Sequence, residues 1–117
     1  MYSETVLEHF RNPRNVGRLE AASAAGTEGV PGAGNYMMVS VRVAESVVEA
    51  ASFETYGCPG AIACGSYLTE WIRGMPVPEA GRITAEELAQ RLGGLPLGKS
   101  HCAQLAVGAL RRALSQL

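Results

Sequence analysis

Met37, Val39, Val41 and Val43 alternate with Met38, Ser40 and Arg42, the period of two that predicts a half-buried strand. Val47 to Tyr56 continues in the same manner, with Phe53 and Tyr56 as its bulky members. The short break at Glu45 and Ser46 makes the two stretches an antiparallel hairpin. Beyond Gly57 the period changes. Cys64, Leu68 and Trp71 fall at i, i+4 and i+7, so a helix is expected from Pro59, whose missing N–H is no loss at a first helical position. Cys58 is then the N-cap.

The remaining pattern is helical and well punctuated. Ser3 caps a first helix whose Val6, Leu7 and Phe10 share a face, and Pro13 limits it. Gly74, Pro76 and Pro78 interrupt the chain before Thr84 and Glu87, whose spacing is a capping box for a short helix to Arg91. After Gly93, Gly94 and Pro96 comes an amphipathic helix carrying Leu105, Ala106, Ala109, Leu110, Ala113, Leu114 and Leu117. His101 and Cys102 lie in its first turn, and Arg111 and Arg112 near its negative end. Ala21 to Gly34, with five alanines and four glycines, reads as a loop with room for a short edge strand.

A length of 117 residues bounds the chain to one domain, residues 1–117. The apolar fraction of 47%, the charged fraction of 18% and the net charge of −1 exclude a disordered chain and give no basis for nucleic-acid binding. No apolar run is long enough to span a membrane, and MYSETVLEHF lacks the marks of a secretory signal, so the expected compartment is the cytoplasm. Three cysteines there are too few, and odd in number, for a disulfide framework, which leaves thiol, metal or sulfur chemistry to weigh against simple burial.

Cys58 and Cys102 are each expected at a helix N-terminus, where free N–H groups favour a thiolate, and His101 adds an imidazole. Cys58, His101 and Cys102 would thus be soft ligands suited to zinc or iron-sulfur chemistry. On residue types alone, buried thiols are the commoner outcome. Cys64 lies about 240° around the helix from Cys58 and in line with Leu68 and Trp71, so it is expected in the core. His9 has no second ligand on its face and reads as a surface histidine. The arginines Arg11, Arg14 and Arg18 flank a turn-rich segment that reads as a solvated loop or a basic patch facing a partner. Nucleotide-binding, serine-hydrolase and zinc-protease motifs are absent.

Phe53-Glu-Thr-Tyr-Gly-Cys-Pro-Gly-Ala-Ile-Ala63, followed by Thr69-Glu-Trp71, resembles the central motif of the IscU/NifU-type iron-sulfur cluster assembly scaffolds. Tyr2-Ser-Glu4, Asn12-Pro-Arg-Asn-Val-Gly17, Gly29-Val-Pro31 and Leu95-Pro-Leu-Gly-Lys-Ser-His-Cys102 resemble its other landmarks in the same order. The resemblance implies an α+β fold, a small antiparallel sheet packed by helices, with a cluster or zinc site at one exposed end. It also implies a 2Fe-2S cluster built on three cysteines beside a histidine and an aspartate, with sulfur from a cysteine desulfurase. Cys58 falls on the second cysteine and His101-Cys102 on the histidine and the last cysteine. Ala33 occupies the first cysteine position and Asn35 that of the aspartate. Losing a thiolate and a carboxylate predicts weaker hold on a metal or cluster. The Leu-Pro-Pro-Val-Lys motif that such scaffolds present to a heat-shock chaperone keeps only its first Leu-Pro and Lys99.

The resulting expectation is a scaffold or sulfur carrier, not an enzyme. Cys102 is its candidate sulfur acceptor, and Cys58, His101 and Cys102 ligate iron or zinc. A cysteine desulfurase is the expected partner, with a heat-shock chaperone and recipient apoproteins as further candidates and no role for nucleic acid or membrane. The alternative is a zinc-stabilised interaction or regulatory module of the same pathway that holds no cluster. A metal-free relative with buried thiols is the third.

Overall fold

The computed structural model describes residues Met1–Leu117. In chain order they form α1 (Glu4–Arg11), β1 (Ala24–Gly29), β2 (Tyr36–Ala44), β3 (Val47–Tyr56), α2 (Pro59–Ile72), α3 (Val77–Ala80), α4 (Ala85–Arg91) and α5 (Ser100–Leu114). The sheet is antiparallel throughout, in the order β1-β2-β3. Helix α2 packs on β3, α5 on β1 and β2, and α1 on α2. The α+β architecture that the resemblance implies is therefore present.

The hairpin turns at Glu45 and Ser46, both with positive φ, the backbone that matches the right-handed twist of a two-residue connection. Met37, Val39, Val41, Val48 and Phe53 from the sheet meet Leu68 and Ile72 of α2 and Leu110 of α5 in one buried cluster. Cys64 is fully buried among them, as its alignment with Leu68 predicts. Ser3 accepts from the N–H of Val6 at 3.1 Å, and Thr84 from that of Glu87 at 3.1 Å, so both N-caps form, the second as the Thr84 half of the capping box.

Besides the single-turn helix α3, where Pro76 and Pro78 read only as breakers, three segments differ from or sharpen the sequence reading. Ala24–Gly29 is a six-residue edge strand, the element the reading left room for, and its register against β2 and the docking of α5 replace the apolar side chains it lacks. The Asn-Pro-Arg-Asn-Val segment is held as well: Gly17 N–H donates to Phe53 O at 2.8 Å and Phe53 N–H to Asn15 O at 2.9 Å, covering the free edge of β3. Of its arginines, Arg14 pairs with Glu8 and Glu70 and Arg18 with Glu54, which neutralises two of the three cations of the supposed patch.

His9 is the third correction, since it is buried rather than a surface residue. Nδ1 lies 2.7 Å from Ser66 Oγ, which also accepts from the Arg14 N–H at 2.9 Å, and the ring packs on Tyr67. Burial, followed by the Arg14 charge, holds its pKa below the usual histidine value, with Glu70 and Glu8 opposing. A depressed folded pKa means the unfolded chain binds the proton first. This contribution to stability is therefore complete above pH about 6.5 and is lost as the pH falls toward the folded pKa, by at most about 1.4 kcal/mol per pH unit. Urea unfolding between pH 7.5 and 5 should show this decline in the parent and a flatter profile in His9→Gln; parallel profiles would assign the decline to other groups.

Candidate functional site

The register pairs Gly29 with Tyr36 and Tyr36 with Tyr56, so the β1–β2 turn and the β3–α2 junction lie at one end of the sheet. Cys58 sits at that junction as the N-cap of α2, with Pro59 at the first helical position. Helix α5 begins beside it and delivers Cys102. The two Sγ atoms are 3.4 Å apart, although 44 residues separate them in the chain. Cys102 Sγ is in turn 3.7 Å from Nε2 of His101. His101 Nδ1 lies 3.1 Å from the carbonyl of Gly98, which can only accept, so the ring proton belongs on Nδ1 and the Nε2 lone pair is left for the thiol or a metal.

The contacts run from Cys58 to Cys102 and from Cys102 to His101, and no three His, Cys, Asp or Glu side chains are gathered as a ready metal-binding group. The spacing nevertheless suits soft cations. Two thiolates on one tetrahedral ion, each bonded at about 2.3 Å, stand roughly 3.8 Å apart, a small opening from what is seen. Cys64 is fully buried in the core and is not gathered with the other two as a metal-binding group. Burial, with the Cys102 and Cys58 charges adding to it, pushes its thiol well above the usual range, as suits a packing residue.

The paired thiols ionise unequally. For Cys58 burial is the largest influence and opposes ionisation. The N–H groups of Ala61 and Gly60 at the start of α2, with hydrogen bonds from Cys102 and Tyr2, outweigh it and hold the thiol below its ordinary value. Cys102 is pushed up to about 12, first by burial and then by donating to, and facing the charge of, Cys58, with Lys99 opposing. Of the two, Cys58 is therefore the thiol that ionises more readily. Cys102, the acceptor expected from the sequence, is 0% exposed, whereas Cys58 is partly open to solvent, so access favours Cys58 over Cys102 for receiving sulfur.

Two residues of this site were not read as functional in the sequence. Tyr2 reaches over Cys58, and burial and then that thiol raise its phenol pKa. Gly60 lies beneath: a Cβ there would stand 3.3 Å from Cys102 Sγ, 3.4 Å from Tyr2 Cε1 and 3.5 Å from Tyr2 Oη, so the missing side chain is what lets these groups close over the helix start. No chemical signature marks either one; their roles arise from position. Asn35 is also near, its Cγ 3.9 Å from where a Cβ on Gly57 would be, while Ala33 lies exposed in the same turn.

Residues 1–117 match the NifU-like N-terminal domain family. The chain is 46% identical over 114 residues to iron-sulfur cluster assembly scaffold protein IscU 1 of Archaeoglobus fulgidus, an alignment covering 97% of this chain and 74% of that one. It is 41% identical to iron-sulfur cluster assembly scaffold protein IscU of Haemophilus influenzae, covering 97% and 93%. In fold it is similar to the crystal structure of the N-terminal part of a nitrogen-fixing NifU-like protein from Brucella abortus, with a TM-score of 0.74 at 18% identity over 97% of this chain and 92% of that one.

Proposed function

This chain belongs to the NifU-like N-terminal domain family, and from that membership we propose how its thiols serve as an iron-sulfur cluster assembly scaffold. Iron and sulfide are its cargo. Cys58 and Cys102 hold them as thiolates and His101 Nε2 supplies the nitrogen donor, the nascent cluster being a 2Fe-2S unit. The single observation carrying this assignment is the 3.4 Å approach of Cys58 to Cys102 with the His101 ring held beside them. The protein works as a carrier, and no turnover chemistry is needed for that role.

A cluster built on two thiolates and one imidazole leaves a position to fill, and Ala33 and Asn35 supply neither thiolate nor carboxylate there. The site also faces outward. Val30, Tyr56 and Leu97, all at this end of the sheet or in the loop before α5, are exposed by more than half, an apolar rim suited to a protein that delivers or collects the cargo. A cysteine desulfurase is the proposed sulfur source, and recipient apoproteins, with or without a heat-shock chaperone, the proposed destination. No helix is long and apolar enough to cross a membrane, and a cytoplasmic setting is part of the same proposal.

Zinc is the second reading, favoured by the same sulfur spacing, which suits one tetrahedral ion. Anaerobic reconstitution with ferrous iron and sulfide separates the two. The scaffold should develop sulfur-to-iron absorption bands with matching iron and acid-labile sulfide, and Cys58→Ser should lose them. Stoichiometric zinc in the isolated protein with no bands after reconstitution would favour the zinc module.

A further inference from the structure

We infer that Cys58 and Cys102 also act together as a dithiol that converts a sulfane sulfur accepted on Cys58 into free sulfide, closing to a disulfide as they do so. This rests on the reading above in one respect, that this end of the chain receives sulfur from a persulfide donor. The two sulfurs are in van der Waals contact at 3.4 Å, one of them partly exposed and the other fully buried behind it. Such a pair has an outside and an inside. A donor can reach Cys58, and only Cys58 is placed to be attacked by Cys102.

Both steps balance without further reactants. Cys58 Sγ attacks the outer sulfur of a persulfide, R–S–SH; the new bond joins Cys58 Sγ to that sulfur, the R–S–S bond breaks, and R–SH departs with the Cys58 proton. Cys102 Sγ then attacks Cys58 Sγ. A bond forms between the two cysteine sulfurs, the bond from Cys58 to the sulfane sulfur breaks, and that sulfur leaves with the electron pair and the Cys102 proton as hydrogen sulfide. The two thiols together lose two electrons and the sulfane sulfur gains two. An external dithiol reduces the pair before another round.

The geometry suits the displacement. Thiol–disulfide exchange runs through a line of three sulfurs, so with Cys102 on the buried side the departing sulfur lies on the open side of Cys58. Closing from 3.4 Å to a bond of about 2.05 Å requires a modest shift, and Cys58 is free to provide it because it is the extended N-cap, outside the first turn of α2. His101 Nε2, 3.7 Å from Cys102 Sγ, stands where it can relay the thiol proton. Sulfide appears at the position where iron would be held, so the pair supplies cargo in the oxidation state a cluster needs.

The test uses the reduced full chain, freed of reductant under anaerobic conditions and exposed briefly to one equivalent of cysteine persulfide. Sulfide released above the protein-free control is measured, and intact mass is read without reduction. The parent should release close to one sulfide per chain and become lighter by two hydrogen atoms. Cys102→Ser and Cys102→Ala should instead become heavier by one sulfur atom and release none above the control; Cys58→Ser should show neither change, and Cys64→Ser should behave as the parent. A parent that keeps the added sulfur as a stable persulfide, or takes up none, overturns the proposal, and this measurement does not depend on any variant folding. Loading of the same preparations with ferrous iron and inorganic sulfide bypasses the persulfide, so a parent that builds a cluster but fails here defeats the dithiol step alone, and one that does neither defeats the scaffold reading as well.

Discussion

Gly26→Ala is expected to lower the thermal midpoint by roughly 10 °C or more. A Cβ on Gly26 would stand 2.5 Å from Ala109 O and 2.7 Å from the carbonyl carbon of Arg112, with the N of Ala113 nearer still. All three are backbone atoms of α5, so no rotamer change relieves the contact. Either β1 leaves β2 or the helix lifts off the sheet. Overpacking usually costs about 1–3 kcal/mol, and a clash against backbone on both sides belongs at the upper end. At roughly 4 °C per kcal/mol for a domain of this size, about 3 kcal/mol gives the stated shift. Gly81→Ala is the control, because a Cβ there makes ordinary contacts no closer than 3.6 Å. Scanning calorimetry of both variants decides it, and a Gly26→Ala midpoint within a few degrees of the parent would mean that α5 does not rest on β1 this closely.

The same glycine explains why β1 was hard to read. A strand announces itself through alternating apolar side chains, and β2 and β3 do so through Met37, Val39, Val41 and Phe53. In Ala24–Gly29 the relevant property is the absence of side chains, which lets a helix backbone approach, and absence looks like a loop in a sequence. Helix α3 was missed for a related reason: Pro76 and Pro78 read as breakers, yet prolines at a helix start are compatible with a single turn. His9 was misjudged because its partners, Ser66 and Arg14, come from α2 and a loop rather than from its own helix face. The capped helices were legible because their signals are local, Ser3 with Val6 and Thr84 with Glu87.

The site divides along the same line. That Cys58 and Cys102 should stand at helix starts follows from Pro59 and from the apolar stripe of α5, both local signals. That they meet at 3.4 Å depends on α2 and α5 packing side by side, which no spacing in the chain encodes. The inequality of the pair was equally hidden. Two thiols with similar sequence surroundings become a partly open, more readily ionised thiol and a buried one that holds its proton more firmly only because Cys58 precedes its helix, while Cys102 lies within the first turn of its own and faces the core. Tyr2 and Gly60 join them for reasons of shape.

Ala33→Cys is expected to raise cluster or zinc retention after chelator challenge on the order of tenfold or more, in line with what single changes around a metal do to affinity. The register places the Ala33 turn at the same sheet end as Cys58, and Asn35, two residues on, already lies against the Gly57 position. Adding a thiolate there supplies a soft ligand and a negative charge to a site whose two thiolates leave coordination open. The cost to the fold should be small, within about 0.5 kcal/mol, because Ala33 is exposed and its only backbone hydrogen bond, N–H to Val30 O at 3.0 Å, is unaffected by the side chain. The gain should depend on a shared centre, so combining Ala33→Cys with Cys58→Ser should cancel it, and Ala33→Ser, which adds bulk and polarity without a thiolate, should give none. Metal and acid-labile sulfide measured after timed exposure to a chelator provide the comparison. If Ala33→Cys retains no more than the parent while remaining folded, the turn does not reach the bound cargo, and the open position is filled by water or by a partner's side chain instead.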